Sequence, residues 1–560
     1  MSNLTLAFFN PPHADWCLAN NMTWLFMQSH YNAVGKHKDL VTWLEAPYKF
    51  DKYASLEDVY PELAQADVIL FSSYVWNYDM CDEMAKLIKE RHPEKLTIVG
   101  GPHIGTMDKA FLDSRTMYDY VCKPTKPGET FMEEFIDEYF ASGGKPNPEH
   151  VAWELRAVHG KKANLPEASV YEEHFEYLKK TADYSHENNL EPFIVIETTR
   201  GCPYQCVFCE WGGGTGTKII KKELETVKRD VMALKRAGYR DVYLTDANFG
   251  VFEERDIEIF RFAVENQINL TDISTLKSKD INRRKRLVDA WFEVAGKARQ
   301  TELKPSEVGS WRKYEFVSVV PTVSIQSISD AAMKIAKRVD LSLDNKLELS
   351  RHIHDRCHHE GFPVPSIELI LGMPGSTLDD FYNEMEIIWN FKAWNSFRHD
   401  YMFLPDSELS NPEYLKQYGI ELVEVYTDLV DEQGVDNMNG LYGQKKNYFK
   451  TIRSCFSYTA RDMEEMFFMN LAANTLLRDH YGPYEGKVHQ SIFGKTCYEI
   501  ISQFPEFATM NAEIRDILDP STPTRSIKKL EGRTRNDAVE NLLAEYNIII
   551  KSELFKRLYV

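Results

Sequence analysis

The chain has 560 residues, room for about three domains at ~100–200 residues each. A hydrophobic share of 43%, with 12% aromatics, supplies an ample core and excludes an intrinsically disordered or collagen-like protein. Lys and Arg number 66 against 85 Asp and Glu, a net charge of −19, so the surrounding field repels phosphate backbones and anionic headgroups, and no nucleic-acid partner is expected. No apolar run approaches the ~18 residues of a membrane span, and Met1–His13 lacks a basic stretch followed by a small-residue cleavage site; a cytoplasmic location is expected.

In chain order, Leu4–Phe9 reads as a buried strand running into Asn10-Pro11-Pro12, and the pattern recurs at Asp67–Ser72 and Leu96–Gly100. Helical stretches follow at Cys81–Glu90 and Glu129–Phe140. Alternation of this kind predicts a parallel sheet wrapped by helices, with ligands at the carboxyl ends of the strands. The loops Asn10–His13, Ser72–Asn77, Gly100–Gly105 and Pro127–Thr130 then gather on one edge. The turn-rich Gly143–Pro148 closes this unit, and a polar connector leads to about Leu190.

A second alternating series starts with a strand at Phe193–Thr198. It continues with a helix whose stripe is Leu224, Val227, Val231 and Leu234, ending at Gly238. Strands are expected at Asp241–Thr245, Val317–Ile325 and Ser366–Leu371, with a helical stripe at Ile257, Phe260 and Val264. Successive strand–helix units predict a barrel or partial barrel whose chemistry lies on the loops after its strands. Beyond Phe403-Leu-Pro405 the strand signal fades; the chain reads as mainly helical, with Thr459–Asp462 a capping box ahead of Met463–Leu477.

Of nine cysteines, six are scattered singly, which argues against a disulfide framework. The other three form Cys202-x3-Cys206-x2-Cys209, in a loop directly after a strand. Three thiolates so spaced suit three irons of a cubane 4Fe–4S cluster, leaving one iron for an outside ligand. Structural zinc wants a closed set of four, and no further Cys or His follows before His352.

This loop resembles that of the radical S-adenosylmethionine (SAM) superfamily, and Phe208 matches the aromatic found before the last cysteine. The resemblance continues through Leu244–Phe249, Ser324–Ser327, Lys337-Arg338 and Leu369–Thr377, covering about 190–405. It implies a SAM site near Phe208, Thr245, Asp246, Gln326, Arg338 and Gly372.

Residues 1–145 resemble the Rossmann-like cobalamin-binding domain that one subclass joins to such a barrel. Asn10, Pro11, Pro12, Ser72, Ser73, Tyr74, Trp76, Asn77, Gly100, Gly101, Pro102, His103, Gly128 and Glu129 are implied cobalamin contacts, the glycines letting the corrin approach the backbone. The Asp-x-His-x-x-Gly signature of domains with a histidine lower ligand is absent, so the lower face of cobalt falls to Tyr74, Trp76 or Asn77. The implied fold class is α/β: this domain, a connector over 146–190, a partial (β/α)6 TIM barrel over 191–405 and a mainly helical domain over 406–560.

The implied activity is transfer of a methyl group from SAM through methylcobalamin to an unactivated substrate carbon, after hydrogen abstraction by a 5′-deoxyadenosyl radical. A cyclase or rearrangement enzyme with the same cofactors is the alternative. A methylthiotransferase fits less well, because the surroundings of Cys17, Cys81 and Cys122 do not match its second cluster; a non-enzymatic sensor lacks an output module. A small-molecule or peptide substrate and an electron donor such as flavodoxin or ferredoxin are the expected partners, and no residue is assigned as a catalytic acid or base. Leu404–Ser407 and Tyr442–Tyr458 are candidates for substrate contact. Gly212–Lys218 fails the P-loop pattern; the histidines around Cys357 and the basic stretch Arg283–Arg286 read as solvated helix faces.

Overall fold

In the computed structural model the described residues are 3–12, 21–104, 114–122, 127–146, 167–209, 219–271, 280–299, 323–390, 398–400, 407–428, 446–466, 469 and 525–526, less a few isolated positions within these spans. Strands β1 (Leu4–Phe9), β2 (Val41–Trp43), β3 (Val68–Ser72), β4 (Leu96–Gly100) and β5 (Tyr120–Val121) form one sheet in the order β2-β1-β3-β4-β5, parallel throughout. Its strands alternate as period two requires. Leu4, Leu6 and Phe8 join one apolar cluster with the helices Met22–Val34 and Gly128–Ala141, while Ala7 and Phe9 join another with Leu56–Leu63 and Tyr78–Arg91. Helices thus cover both faces, and the order reverses between β1 and β3, the place where open parallel sheets bind ligands.

The stretch expected to be a mere connector is built into the core. Its helices Val170–Glu173 and Phe175–Glu187 bury Val170, Tyr171, Leu178 and Ala182, and the Tyr171 hydroxyl donates to the Val195 carbonyl at 2.9 Å. One apolar cluster therefore runs from Leu4 through Tyr171 to Leu369.

Strands β6 (Val195–Ile196), β9 (Asp241–Leu244) and β10 (Asn269–Thr271) make a parallel arc in the order β10-β9-β6; β11 (Val323–Gln326), β12 (Ile367–Leu371) and β13 (Arg398–Asp400) make a second. The short β7 (Thr199–Arg200) and β8 (Ile220–Lys221) pair antiparallel between β6 and β9. The helix Leu224–Ala237 ends as its sequence demands, with Gly238 at φ +103°. Residues 317–322, the first part of an expected strand, lie outside the described residues.

Of the region from 406, expected to be mainly helical, the described residues include strands as well as helix, and most of the rest lies outside the described residues. Long strands β14 (Glu421–Asp428) and β15 (Lys446–Ser454) form an antiparallel pair, with β16 (Arg525–Ser526) added parallel to β14. Val423, Val425, Phe449 and Ile452 carry the β-branched and aromatic character that favours this state. The Thr459–Asp462 capping box does form: each side chain accepts the other's backbone N–H. Among the described residues no helix is long and apolar enough to cross a membrane. Arg283 and Arg286 both pair with Glu253, and His352 shares Asp289 with Arg356, so these are ion-paired helix faces.

Beneath the second unit Lys222 and Asp230 form an ion pair at 2.8 Å, with side chains 1% and 0% exposed, and burial pushes the Asp230 carboxyl up against the pull of Lys222. The Lys222 ammonium also lies 5.5 Å from the Phe26 ring and 5.6 Å from that of Tyr171. Removing one partner strands a buried charge. Asp230→Ala is therefore expected to cost about 3–5 kcal/mol in urea unfolding, and Lys222→Met with Asp230→Leu much less.

Candidate functional site

The cysteine loop is held at its root by one carboxylate. After β6 the chain passes Thr198 and Thr199, whose backbone N–H groups donate to Asp246 Oδ1 at 2.7 and 3.0 Å and whose hydroxyls donate to Oδ2 at 2.5 and 2.8 Å. Arg255 braces the same point, donating to the Thr198 and Lys222 carbonyls at 2.9 and 2.7 Å while its other amino group meets Asp256. Gly201, at φ +102°, turns the chain into Cys202.

Cys202 and Cys206 are buried and Cys209 half-buried. Asn248, two residues beyond Asp246, donates its side-chain N–H to Cys202 Sγ at 3.2 Å. Val207 N donates to the Ala336 carbonyl, two residues before Arg338, so the loop reaches the place where Phe208 and Arg338 were expected to meet. Among the described residues no three His, Cys, Asp or Glu converge on one ion position. A cubane spreads its cysteines over separate irons and does not require such convergence. Three thiols from one loop, one of them bearing an amide hydrogen bond, suit such a cluster. Glu210 and Gly212–Lys218 lie outside the described residues.

Asp246, expected near SAM, takes four donors on its oxygens and so positions the root of the loop. Thr245 donates its hydroxyl to the Ile196 carbonyl at 3.1 Å. Thr198, Thr199 and Arg255 were missed, being tied together across dozens of residues with no local motif, while Asn248 lay within the matching stretch Leu244–Phe249 without being singled out.

Across the second arc, Val323, Ile325, Ile367 and Leu369 face the helix-packed core, so Ser324 and Glu368 lie on the other face, where the Ser324 hydroxyl donates to the Glu368 carboxylate. The register shifts between Ser324 and Gln326, and Gln326 adopts φ +69°. Arg338, 8% exposed, points a guanidinium nitrogen at the Ser324 carbonyl at 3.4 Å, and Lys346 reaches the Ile325 carbonyl at 3.2 Å. A cavity of about 490 Å³ opens here, lined in part by Ser327, Met333, Arg338, Asn345 and Lys346. Gln326 and Arg338 are thus brought to one strand end. Glu368 was missed, although a lone acid in the apolar run Ile367–Leu371 was its signal.

Gly372 follows β12 at φ +76°. A Cβ there would lie 3.1 Å from the Tyr458 oxygen, and the Tyr458 hydroxyl donates to the Gly372 carbonyl at 2.6 Å. Ser457 Oγ accepts from Gly375 N and donates to the Ser376 carbonyl. The segment ending at Tyr458 therefore seals the loop after β12; Tyr442–Lys445 and Leu404–Asp406 lie outside the described residues.

At the edge of the first sheet, Asn77 knits the switch point together. Its amide nitrogen donates to the Pro11 and Ser72 carbonyls at 2.8 and 3.1 Å, and its oxygen accepts from Tyr74 N at 2.7 Å. Ser73 N donates to the Gly100 carbonyl and His103 N to the Ser73 carbonyl, so Ser73, Gly100, Gly101, Pro102 and His103 form one knot. The glycines serve this packing: a Cβ on Gly101 would meet the Ser73 carbonyl oxygen at 2.4 Å, one on Gly100 the Cys122 Cβ at 3.2 Å, and one on Gly128 the Met27 sulfur at 3.3 Å. Two stacked pairs stand at the edge, Tyr74 on Trp76 at 4.5 Å and Tyr78 on His103 at 4.2 Å. Burial lowers the His103 imidazole to about 4, and its Nδ1 has no partner among the described residues. Glu129 is not turned to that edge alone; its carboxylate meets Arg200.

Residues 196–388 match the radical SAM superfamily. The cobalamin-dependent radical SAM methyltransferase TokK of Streptomyces tokunonensis is 26% identical over 398 residues, 68% of this chain and 54% of TokK. The 2-(S-pantetheinyl)-carbapenam-3-carboxylate methyltransferase of Streptantibioticus cattleyicolor is 26% identical over 395 residues, with the same shares. The chain spans about half the length of these curated relatives. Among solved structures, OxsB with aqua-cobalamin and SAM bound superposes with a TM-score of 0.56 at 11% identity, covering 97% of this chain and 75% of that one. TsrM from Kitasatospora setae, with cobalamin and a 4Fe–4S cluster bound, gives 0.53 at 15%, covering 92% and 98%. At these identities the structures establish a shared α/β fold.

Asp246 also makes the anchor pH-sensitive. Burial, opposed by the four Thr198 and Thr199 donors, pushes its carboxyl up from 3.8 to about 6. The folded state then holds a proton that the unfolded state has lost between these values, so stability present below pH 4 is lost as pH rises through 6, on the order of 3 kcal/mol. Urea unfolding of cluster-free protein should show this fall between pH 4 and 7. Asp246→Asn, whose amide oxygen keeps the two backbone donors and whose amide N–H groups meet the threonine hydroxyls once these reverse, should abolish it.

Proposed function

We propose that this member of the radical SAM superfamily, whose matching residues are 196–388, is a cobalamin-dependent methyltransferase that acts on an unactivated carbon of a small molecule. The observation that carries the reading is the reach of the TokK alignment, which covers 68% of the chain and so extends well beyond the radical SAM residues. A relative that shared only a radical SAM barrel would not align so far.

In this reading residues 1–145 are a Rossmann-like cobalamin domain, 191–405 a partial (β/α)6 barrel, and the region from 406 closes the barrel through Tyr458. Cys202, Cys206 and Cys209 would hold the 4Fe–4S cluster, and the Asn248 N–H on Cys202 Sγ would tune it. Gln326, Arg338 and Glu368 are the polar groups around β11 and β12 from which SAM takes its partners; Arg338 suits a carboxylate, since a guanidinium matches it geometrically. Tyr74, Trp76 and His103 would frame the cobalamin edge, with Asn10, Pro11 and Pro12 opposite, while Asn77, Ser73 and Gly101 hold that edge together. The bound groups together supply hydrogen abstraction and a carried methyl group; the chain supplies orientation and exclusion of water. A flavodoxin or ferredoxin would deliver the electrons.

The test is cofactor content followed by products. Anaerobically reconstituted wild-type protein should retain near-stoichiometric cobalamin after desalting and form both S-adenosylhomocysteine and 5′-deoxyadenosine. The triple variant Cys202→Ala, Cys206→Ala, Cys209→Ala should lose its iron and all deoxyadenosine yet keep cobalamin. Deoxyadenosine without S-adenosylhomocysteine would instead support a cyclase or rearrangement.

A further inference from the structure

Arg200 precedes the cysteine loop by one residue, Gly201, and it joins the two units by an ion pair. Its Nε and Nη2 donate to the two carboxylate oxygens of Glu197 at 2.9 and 2.7 Å, a bidentate pair within the barrel. Its Nη1 donates to Glu129 Oε1 at 2.8 Å, and Glu129 is the second residue of the helix Gly128–Ala141 of the first unit. The guanidinium also lies over the Phe26 ring, 5.9 Å from its centre, on the helix Met22–Val34 of that unit. The side chains of Arg200, Glu129 and Glu197 are 18%, 12% and 21% exposed. Burial works against the Arg200 charge, but the two carboxylates outweigh it and hold the guanidinium firmly protonated.

One cation faces two anions, and the excess negative charge falls on Glu129, in the first turn of its helix, where the macrodipole favours an anion. The apolar seam that surrounds the clasp, Phe26 against Tyr171 with Ile194 and Ile196, gives adhesion without direction. A forked arginine adds the angular definition that apolar contact lacks.

We propose that Arg200 and Glu129 are positioning residues: their bridge sets the register of the first unit's Gly128 edge against the Cys202–Cys209 loop, so that hydrogen abstraction and methyl delivery stay coupled. The inference rests on the methyltransferase reading for its second half only. Loss of the bridge by Glu129→Gln removes the charge at constant shape, and Glu129→Asp withdraws it by one methylene if the first variant folds poorly. Glu133→Gln, on the same helix as Glu129 and hydrogen-bonded to His30 of the helix Met22–Val34, is the control.

Two readouts separate positioning from general destabilisation. Hydrogen–deuterium exchange of the full chain, before any cofactor is added, should quicken in Glu129→Gln both at the start of 128–141 and across 199–209, and stay unchanged in Glu133→Gln. In reconstituted protein with matched iron and cobalamin, the ratio of 5′-deoxyadenosine to S-adenosylhomocysteine should rise several-fold in Glu129→Gln, with a smaller rise in Glu129→Asp. Unchanged exchange over 199–209, or an unchanged ratio with both products falling in parallel, overturns the proposal. A wild-type protein that makes deoxyadenosine but no S-adenosylhomocysteine refutes the methyltransferase reading instead, and the exchange result then decides by itself whether the bridge orders the loop.

Discussion

The carboxylate of Asp246 is the constraint from which the site is built. It fixes Thr198 and Thr199 by four hydrogen bonds, and those two residues stand where the chain enters β7 and the cysteine loop. The same loop after β9 carries Asn248, which touches Cys202 directly. One short segment therefore governs both the root of the cysteine loop and its first thiol. Arg255 closes the arrangement by tying the Thr198 carbonyl to that of Lys222, so β6, β8 and the helix Glu253–Glu265 share a single polar node. A buried carboxylate is costly, and four well-directed donors are what make it tolerable.

Division of labour between apolar and polar contacts runs through the molecule. The continuous core from the first sheet into the second unit holds the units together, and its contacts are non-directional. Register comes from a few buried polar groups placed at the seams: Lys222 with Asp230, Arg200 with Glu129 and Glu197, Asn77 across the switch point, and Tyr458 on Gly372. Each of these lies at a strand end or beside one. Small errors there would shift the loops at those strand ends.

Local signals carried the architecture well. Apolar alternation located β1, β3, β4, β9 and β12, the Gly238 stop ended its helix where expected, and the Thr459–Asp462 box formed. The cysteine spacing, a feature of eight residues, was likewise readable. What stayed hidden was long-range. Asp246 and its threonines are 47 and 48 residues apart, and Arg200 and Glu129 are 71 apart. A polar residue at a strand end looks the same in sequence whether it awaits a ligand or is consumed by a neighbour. Asp246 is taken up by its two threonines, and Gly100, Gly101 and Gly128 each make room for another part of the chain, none of which the sequence signalled. The antiparallel pair β14–β15 was missed because its strands interleave polar with apolar residues, a strand pattern that a search for continuous apolar runs passes over.

The Asp246 node also explains how a carboxyl that titrates near neutrality can serve as an anchor. Its oxygens are not equivalent: Oδ1 receives two backbone N–H groups, which can only donate, while Oδ2 receives two threonine hydroxyls, which can donate or accept. A proton taken up at Oδ2 is accommodated by reversing one hydroxyl, with no heavy atom displaced and no N–H orphaned. The loop root therefore keeps its geometry in both charge states, and only its free energy changes with pH. Serine would offer the same hydroxyl, but threonine's branched Cβ also restricts χ1, which keeps each oxygen aimed at Oδ2 through the exchange.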